Sequence, residues 1–202
     1  MKNLINIWAL CILAGITLVS CKKNKIKINT EQPVQSASKT TSLLDSTRNF
    51  PGFAFYEMGS KVYFSKPGKV TKLGCRAGAT GKFVVSFWDF DSHELLAQTK
   101  VTITDKDKFF YNAVSPVQIT ANKRYVVSMN NNNEGIITDY WLCYRKSTVL
   151  PNEIEFNVYP LSVGSVTFED IRSVESSTAV FPSTIISAWN FSAGADVQFE
   201  YE

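Results

Sequence analysis

Hydrophobic and polar residues alternate with a period of two along much of the chain after residue 50. Phe83, Val85 and Phe87 alternate with their neighbours, as do Phe199 and Tyr201 near the C-terminus. Such a period puts successive side chains on opposite faces of a strand. Glycine, proline, asparagine and aspartate separate the runs, which recur about every ten residues. The pattern predicts an all-β fold, an antiparallel β-sandwich of the jelly-roll or immunoglobulin-like kind.

The segment from 21 to 50 has a different composition. It is rich in lysine, asparagine, threonine, glutamine and serine and has few large apolar residues, so it is expected to bury too little surface to become ordered. We therefore expect a flexible, basic tether at 21–50 and a single β-sandwich domain at 51–202. Within that domain, Glu169 to Ser176 is the only candidate for a helix.

The first 20 residues have the layout of a secretory signal peptide. Lys2 is followed by an apolar run from Ile7 to Val19, which is too short to span a bilayer comfortably. Leu18-Val19-Ser20-Cys21 resembles the cleavage box of bacterial lipoproteins. The resemblance implies that Cys21 becomes the lipidated N-terminus of the mature protein. Residues after Cys21 are lysines, which favours the outer membrane with the domain facing the periplasm and leaves surface exposure as the alternative.

Charge is unevenly distributed along the chain. The net charge is +3, but 21–50 holds six basic and two acidic residues, whereas 51–202 holds 14 basic and 16 acidic ones. Basic residues beside a lipid anchor are attracted to anionic headgroups. The folded part lacks the basic stripe that a phosphate backbone requires, so we do not expect nucleic acid as a partner.

Four cysteines are present, and two of them, Cys75 and Cys143, fall within the predicted domain. In an oxidising compartment such a pair can form a disulfide. The alternative is that both are small apolar residues buried on core strands. The sequence leaves the two alternatives open.

Several motifs follow one another in an order that resembles a known family. They are Gly81 to Asp89 (GKFVVSFWD) with Leu95-Leu96-Ala97, Pro116 to Ser128 (PVQITANKRYVVS), Phe181-Pro182-Ser183, and Ala195 to Phe199 (ADVQF). The family comprises bacterial extracellular β-sandwich modules catalogued as a domain of unknown function, with the signatures SLWD, PV.ltAGttYvvS and FP…NYWVDVxF. The chain departs from it where members have a glycine before the LLA segment and an aromatic near Ala195. The resemblance implies an accessory module of a cell-surface protein.

Aromatic residues provide the candidates for ligand binding. Tyr140 and Trp141 follow Asp139, and Trp189 lies in a segment without alternation. An aromatic ring beside carboxylate and amide groups is suited to sugar binding, because a sugar ring stacks on it while its hydroxyls form hydrogen bonds. The alternative is that these aromatics pack in the core. We take Trp189, Trp141, Tyr140 and Asp139 as candidate glycan-binding residues.

Asp89 and Asp91 are weak candidates for a metal site. They lie in the segment Asp89 to Glu94, where carboxylates could supply oxygen ligands to calcium. The glycine and the distal acid of a helix-flanked calcium loop are missing, so a polar hairpin tip is the favoured interpretation. We predict no other cofactor.

Motifs for catalysis are not found in the sequence. His93 is the only histidine, and no GxSxG motif accompanies it. We therefore expect a lipid-anchored envelope protein that is not an enzyme and whose β-sandwich module binds a ligand, with glycan as the candidate. The alternative is a structural or adhesive envelope component that acts through a protein partner.

Overall fold

A computed structural model describes residues 27–39, 45–50, 53–146, 154–155, 158–187, 191–192 and 194–202. Most of these residues lie in strands, and one helix, α1, is found in the described ranges. The elements are β1 Asn29–Glu31, α1 Pro33–Lys39, β2 Asp45–Phe50, β3 Tyr56–Phe64, β4 Gly68–Cys75, β5 Gly81–Asp89, β6 Leu95–Ile103, β7 Phe110–Ile119, β8 Arg124–Asn130, β9 Asn132–Asn133, β10 Ile136–Ile137, β11 Tyr140–Lys146, β12 Ile154–Glu155, β13 Leu161–Val163, β14 Val166–Glu175, β15 Thr184–Ser187, β16 Phe191–Ser192 and β17 Ala195–Tyr201.

The strands form antiparallel sheets that pack against each other, which confirms the all-β sandwich. The large sheet has the order β13-β14-β3-β8-β5-β6, with β15 also paired to β14. A second sheet has the order β1-β17-β4-β7. A third sheet has the order β12-β11-β16, with β2 also paired to β11, and β9 and β10 form a separate hairpin.

Aromatic side chains join the sheets in the core. The ring of Phe64 on β3 lies 4.5 Å from the ring of Phe199 on β17, and Phe168 on β14 lies 4.8 Å from Phe191 on β16. All four side chains are fully buried. Both smaller sheets therefore pack on the large one, and burial of each phenylalanine contributes roughly 1.5–3 kcal/mol.

The fold extends into the segment for which composition predicts a tether. Asn29, Thr30 and Glu31 pair with β17, and the Glu31 carboxylate accepts a hydrogen bond from the Tyr201 hydroxyl at 2.7 Å. Residues 45–50 form β2 and pair with β11. The strand 29–31 is polar, so its backbone pairing leaves no apolar signature in the sequence.

The helix predicted at Glu169 to Ser176 is wrong. Residues up to Glu175 belong to β14, which pairs along its length with β3 and also with β13 and β15. Phe168 and Ile171 of this strand are buried in the core. Pairing on both sides thus overrides the weak local helical pattern. Within the described ranges, no helix has the length and apolar character needed to cross a membrane.

Candidate functional site

A cleft of about 410 Å³ lies where α1 meets the turn between β6 and β7. We call it the Arg76 cleft. The helix contributes part of its wall, Arg76 follows the end of β4, and the residues just before β7 complete it. The lining residues are Gln35, Ser38, Lys39, Arg76, Asp107, Lys108 and Phe109.

Asp196 on β17 holds α1 in place beside the cleft. Its buried carboxylate accepts hydrogen bonds from the backbone N–H groups of Val34 and Gln35, at 3.0 and 2.9 Å. These groups lie in the first turn of the helix, where N–H groups have no partner within the helix. Burial raises the pKa of Asp196 to about 6, although its hydrogen bonds act in the opposite direction. The helix is therefore capped by a side chain that is distant in sequence.

Tyr111 on β7 supports the same carboxylate from the sheet. Its hydroxyl donates a hydrogen bond to Asp196 Oδ2 at 2.7 Å. The phenol ring lies across Gly74 on β4, where an added Cβ would come within 2.2 Å of the ring. A glycine is thus required at this position for Tyr111 to reach Asp196 and fix the helical wall of the cleft.

Arg76 forms the inner end of the cleft. Its side chain is only 7% exposed, and the guanidinium carbon lies 4.2 Å from the centre of the Trp141 ring and 5.1 Å from that of Phe109. These distances are those of cation–π contacts, which strengthen when the cation is removed from water. The two rings therefore hold the buried guanidinium.

Two of the three nitrogens of the Arg76 guanidinium lack the polar partners that a buried charge normally has. Nε and Nη2 are buried and have no hydrogen-bond partner among the residues that the structure describes. Burial lowers the pKa of Arg76, while nearby Cys143 and Asp107 act in the opposite direction. A buried unpaired donor costs about 1–3 kcal/mol, and more when it is charged. Arg76 is thus the group in the cleft that an anionic ligand would stabilise most.

One of the four predicted glycan-binding residues contacts this site. The half-buried Trp141 packs against Arg76. Tyr140 is only 1% exposed and donates its hydroxyl hydrogen to the carbonyl oxygen of Tyr56, so the structure places it in the core and not on the wall of the cleft. Asp139 is half-buried just before β11 and does not line the cleft. Trp189 lies outside the described residues.

Arg76 is a residue of the cleft that the sequence did not single out. A single arginine after a strand carries no motif, and its missing partners become evident only in three dimensions. The alternation of Trp141 with Cys143 was the available signal, because it places both on one face of β11. Both residues do approach Arg76.

Cys75 and Cys143 are not joined by a disulfide, so the second of the two alternatives holds for these thiols. Both are fully buried. Cys75 packs in the core at the end of β4, and burial raises the pKa of its thiol well above the ordinary value. Neither thiol is therefore accessible in the folded protein.

Asp89 closes the turn between β5 and β6. Its Oδ1 accepts the backbone N–H groups of Asp91 and Ser92 at 3.0 and 3.1 Å, and its Oδ2 is paired with Lys123. Asp91 is exposed. In the part of the chain that the structure describes, no three histidine, cysteine or acidic side chains are grouped to hold a metal ion. The contacts of Asp89 with the backbone of Asp91 and Ser92 and with Lys123 stabilise the tip of the β5–β6 hairpin.

Glu57 on β3 is a second buried titratable group, but it does not line any of the clefts described here. The Trp88 indole donates to Ser128 Oγ at 2.9 Å, and the Ser128 hydroxyl donates to Glu57 Oε1. The Asn130 side chain donates hydrogen bonds to the carbonyl oxygens of Ser176 and Thr178, at 3.1 Å each, and so holds the segment that follows β14 against the same sheet. Burial raises the pKa of Glu57 to about 8. This network stabilises the sheet.

Two other clefts lack a buried unpaired charge. One of about 440 Å³ lies beside Tyr201, where Lys66 packs over the ring and Lys69 is paired with Glu200 at 3.6 Å. Another of about 410 Å³ lies between β5, β6 and β8, where Lys82 is paired with Glu134 at 3.4 Å. The Arg76 cleft is therefore the strongest candidate site in the described part of the chain.

No family model matches the chain, and no curated protein matches it. The family resemblance and the lipoprotein signature accordingly stay predictions from the motifs.

Proposed function

We propose that the protein is a non-catalytic binding module, held at the cell envelope by a lipid on Cys21, and that its Arg76 cleft binds glycan. The observation that supports this proposal is the set of side chains in the cleft. Phe109 supplies an aromatic ring, and Gln35, Ser38 and Asp107 supply an amide, a hydroxyl and a carboxylate. Sugars are held by this combination, since their apolar faces stack on rings while their hydroxyls form hydrogen bonds.

The dimensions of the cleft agree with a small ligand. Its volume of about 410 Å³ lies within the common range for ligand sites, roughly 300–1,000 Å³. Its walls come from α1 and from the strand ends and turn around Arg76, and α1 is fixed by Asp196. A wall that is already in place lowers the ordering cost of binding.

A glycan array followed by titration tests the proposal. Phe109→Ala should weaken binding of any sugar found by about tenfold, because the stacking surface is lost. Phe53→Ala is the matched control, since Phe53 is 86% exposed and does not line the cleft. Absence of binding across a broad neutral and acidic panel would overturn the glycan proposal.

The anchor is tested by fractionation of cells. Cys21→Ser should release the protein from the membrane, whereas Cys11→Ser, within the predicted signal peptide, should leave it attached. A Cys21→Ser protein that stays membrane-bound after signal removal would contradict lipidation. Protease treatment of intact cells tests the orientation, and full digestion of the domain would replace the periplasm-facing outer-membrane location with surface exposure.

A structural or adhesive role through a protein partner is the second candidate. It is favoured by exposed apolar side chains on β10 and β15, where Ile136 is 65% exposed and Ile185 is 59% exposed. Exposed apolar patches are typical of protein contacts. Cross-linking in intact cells should then capture a partner at these residues, and recovery of monomer alone would argue against this role.

A further inference from the structure

We infer that the group recognised at the inner end of the Arg76 cleft is a carboxylate, so that the ligand is an acidic glycan built from uronic acid units. This inference rests on the proposed function and specifies the ligand of the same site.

Arg76 lines the cleft, is only 7% exposed, and has two nitrogens, Nε and Nη2, without a hydrogen-bond partner among the described residues. Buried charges in proteins are normally paired. A ligand carboxylate would supply the acceptor that the described part of the protein does not.

The geometry of the Arg76 guanidinium also favours a carboxylate. Contacts with Trp141 and Phe109 involve ring faces, whereas the N–H bonds of Arg76 lie in the guanidinium plane. Arginine offers these N–H groups as a rigid fork that matches the two oxygens of a carboxylate. Because Nε and Nη2 are buried, a carboxylate could pair with them only if the Arg76 side chain moved toward the cleft, and the proposal includes that movement.

The charge around the cleft favours a ligand with a single negative charge. Three cationic side chains line it, Lys39, Arg76 and Lys108, against the single carboxylate of Asp107. Lys108 is ion-paired with Asp105, which leaves Lys39 as an exposed cation at the rim. With Lys108 paired to Asp105 and one cation offset by Asp107, a surplus of one positive charge remains, which a singly charged carboxylate balances and a phosphate dianion exceeds.

Matched ligands separate this inference from the proposed function. An oligogalacturonide and its fully methyl-esterified form have the same sugar backbone, but only the first carries carboxylates. Calorimetric titration of the purified protein should show that the free acid binds at least about tenfold more tightly, as expected for charge-assisted hydrogen bonds. Inorganic phosphate should compete poorly.

Protein variants locate the effect. Arg76→Gln should weaken oligogalacturonide binding by about tenfold or more. Arg124→Gln is the control, because Arg124 is an exposed arginine paired with Glu169 on another surface. Since a change at buried Arg76 can disturb folding, Lys39→Gln at the rim provides a second variant, which should weaken binding several-fold and reduce its dependence on salt.

The outcomes are distinguishable. Equal binding of the acid and the ester would overturn the carboxylate inference and leave glycan binding intact. Equal binding of a tripeptide with a free C-terminal carboxylate would replace the glycan with a peptide and overturn the inference. Unchanged binding in both Arg76→Gln and Lys39→Gln would remove the Arg76 cleft as the site. Failure of every glycan would overturn the proposed function together with the inference.

Discussion

Glu57 allows a quantitative test of how burial sets the stability of this fold. The side chain is fully buried on β3, Oε1 accepts a hydrogen bond from Ser128, and Oε2 has no partner among the described residues. Burial raises the pKa of Glu57 from 4.5 to about 8. Between these two pH values the folded protein holds a proton on Glu57 that the unfolded chain has released.

The direction of the pH effect follows from this difference in bound protons. The free energy of unfolding falls as the pH rises through this range, and the contribution of Glu57 is fully present only below about pH 4.5. One pKa unit corresponds to about 1.4 kcal/mol. The loss between pH 5 and pH 8 is therefore on the order of 4 kcal/mol.

Glu57→Gln should remove this dependence, because the amide does not titrate and its oxygen can still accept the hydrogen bond from Ser128. Urea unfolding followed by tryptophan fluorescence at pH 5, 6, 7 and 8 gives the free energy of unfolding of both proteins. Asp196, whose pKa is raised to about 6, is present in both, so its effect cancels in the comparison.

The free energy of unfolding of Glu57→Gln, measured relative to that of the wild type, should rise by about 4 kcal/mol between pH 5 and pH 8. If the two free energies of unfolding differ by the same amount at every pH in this range, burial does not raise the pKa of Glu57 as described.

The same unfolding assay tests two further positions, and thiol chemistry tests a third. Asp196→Asn should lower the free energy of unfolding at pH 7 by about 2 kcal/mol, since the carboxylate that caps α1 and accepts the Tyr111 hydrogen bond is lost; an unchanged midpoint would contradict this. Gly74→Ala should cost roughly 1–3 kcal/mol, because the new Cβ would collide with the Tyr111 ring. Cys75 and Cys143 should react with a thiol reagent only after denaturation, so rapid reaction of the folded protein would disprove their burial.

Local alternation predicted the parts of the fold that depend on neighbouring residues. Phe83, Val85 and Phe87 are all buried on one face of β5, as their spacing indicates. Trp141 and Cys143 likewise share the side of β11 that approaches Arg76. Periodicity of this kind is a property of the strand itself, so a single sequence is enough to detect it.

Features that depend on distant partners could not be predicted in this way. The helix α1 is capped by Asp196, which is 162 residues away from Val34 in sequence. The polar strand β1 is held by backbone pairing with β17, which cannot be predicted from its composition. Two buried nitrogens of Arg76 have no hydrogen-bond partner among the described residues, and only the folded structure can show this.

The position of β1 changes what the proposed lipid anchor would do. Composition predicts a tether that reaches residue 50, but in the described part of the chain Asn29–Glu31 already form β1. The eight residue steps from Cys21 to Asn29 can span at most about 28 Å when fully extended. A lipid on Cys21 would therefore hold the β1 edge of the second sheet near the headgroups. The helix α1 follows β1 directly and lines the Arg76 cleft, so the cleft would also lie near the membrane. A glycan bound there would have to lie close to the membrane, which favours an envelope polymer over a freely diffusing sugar.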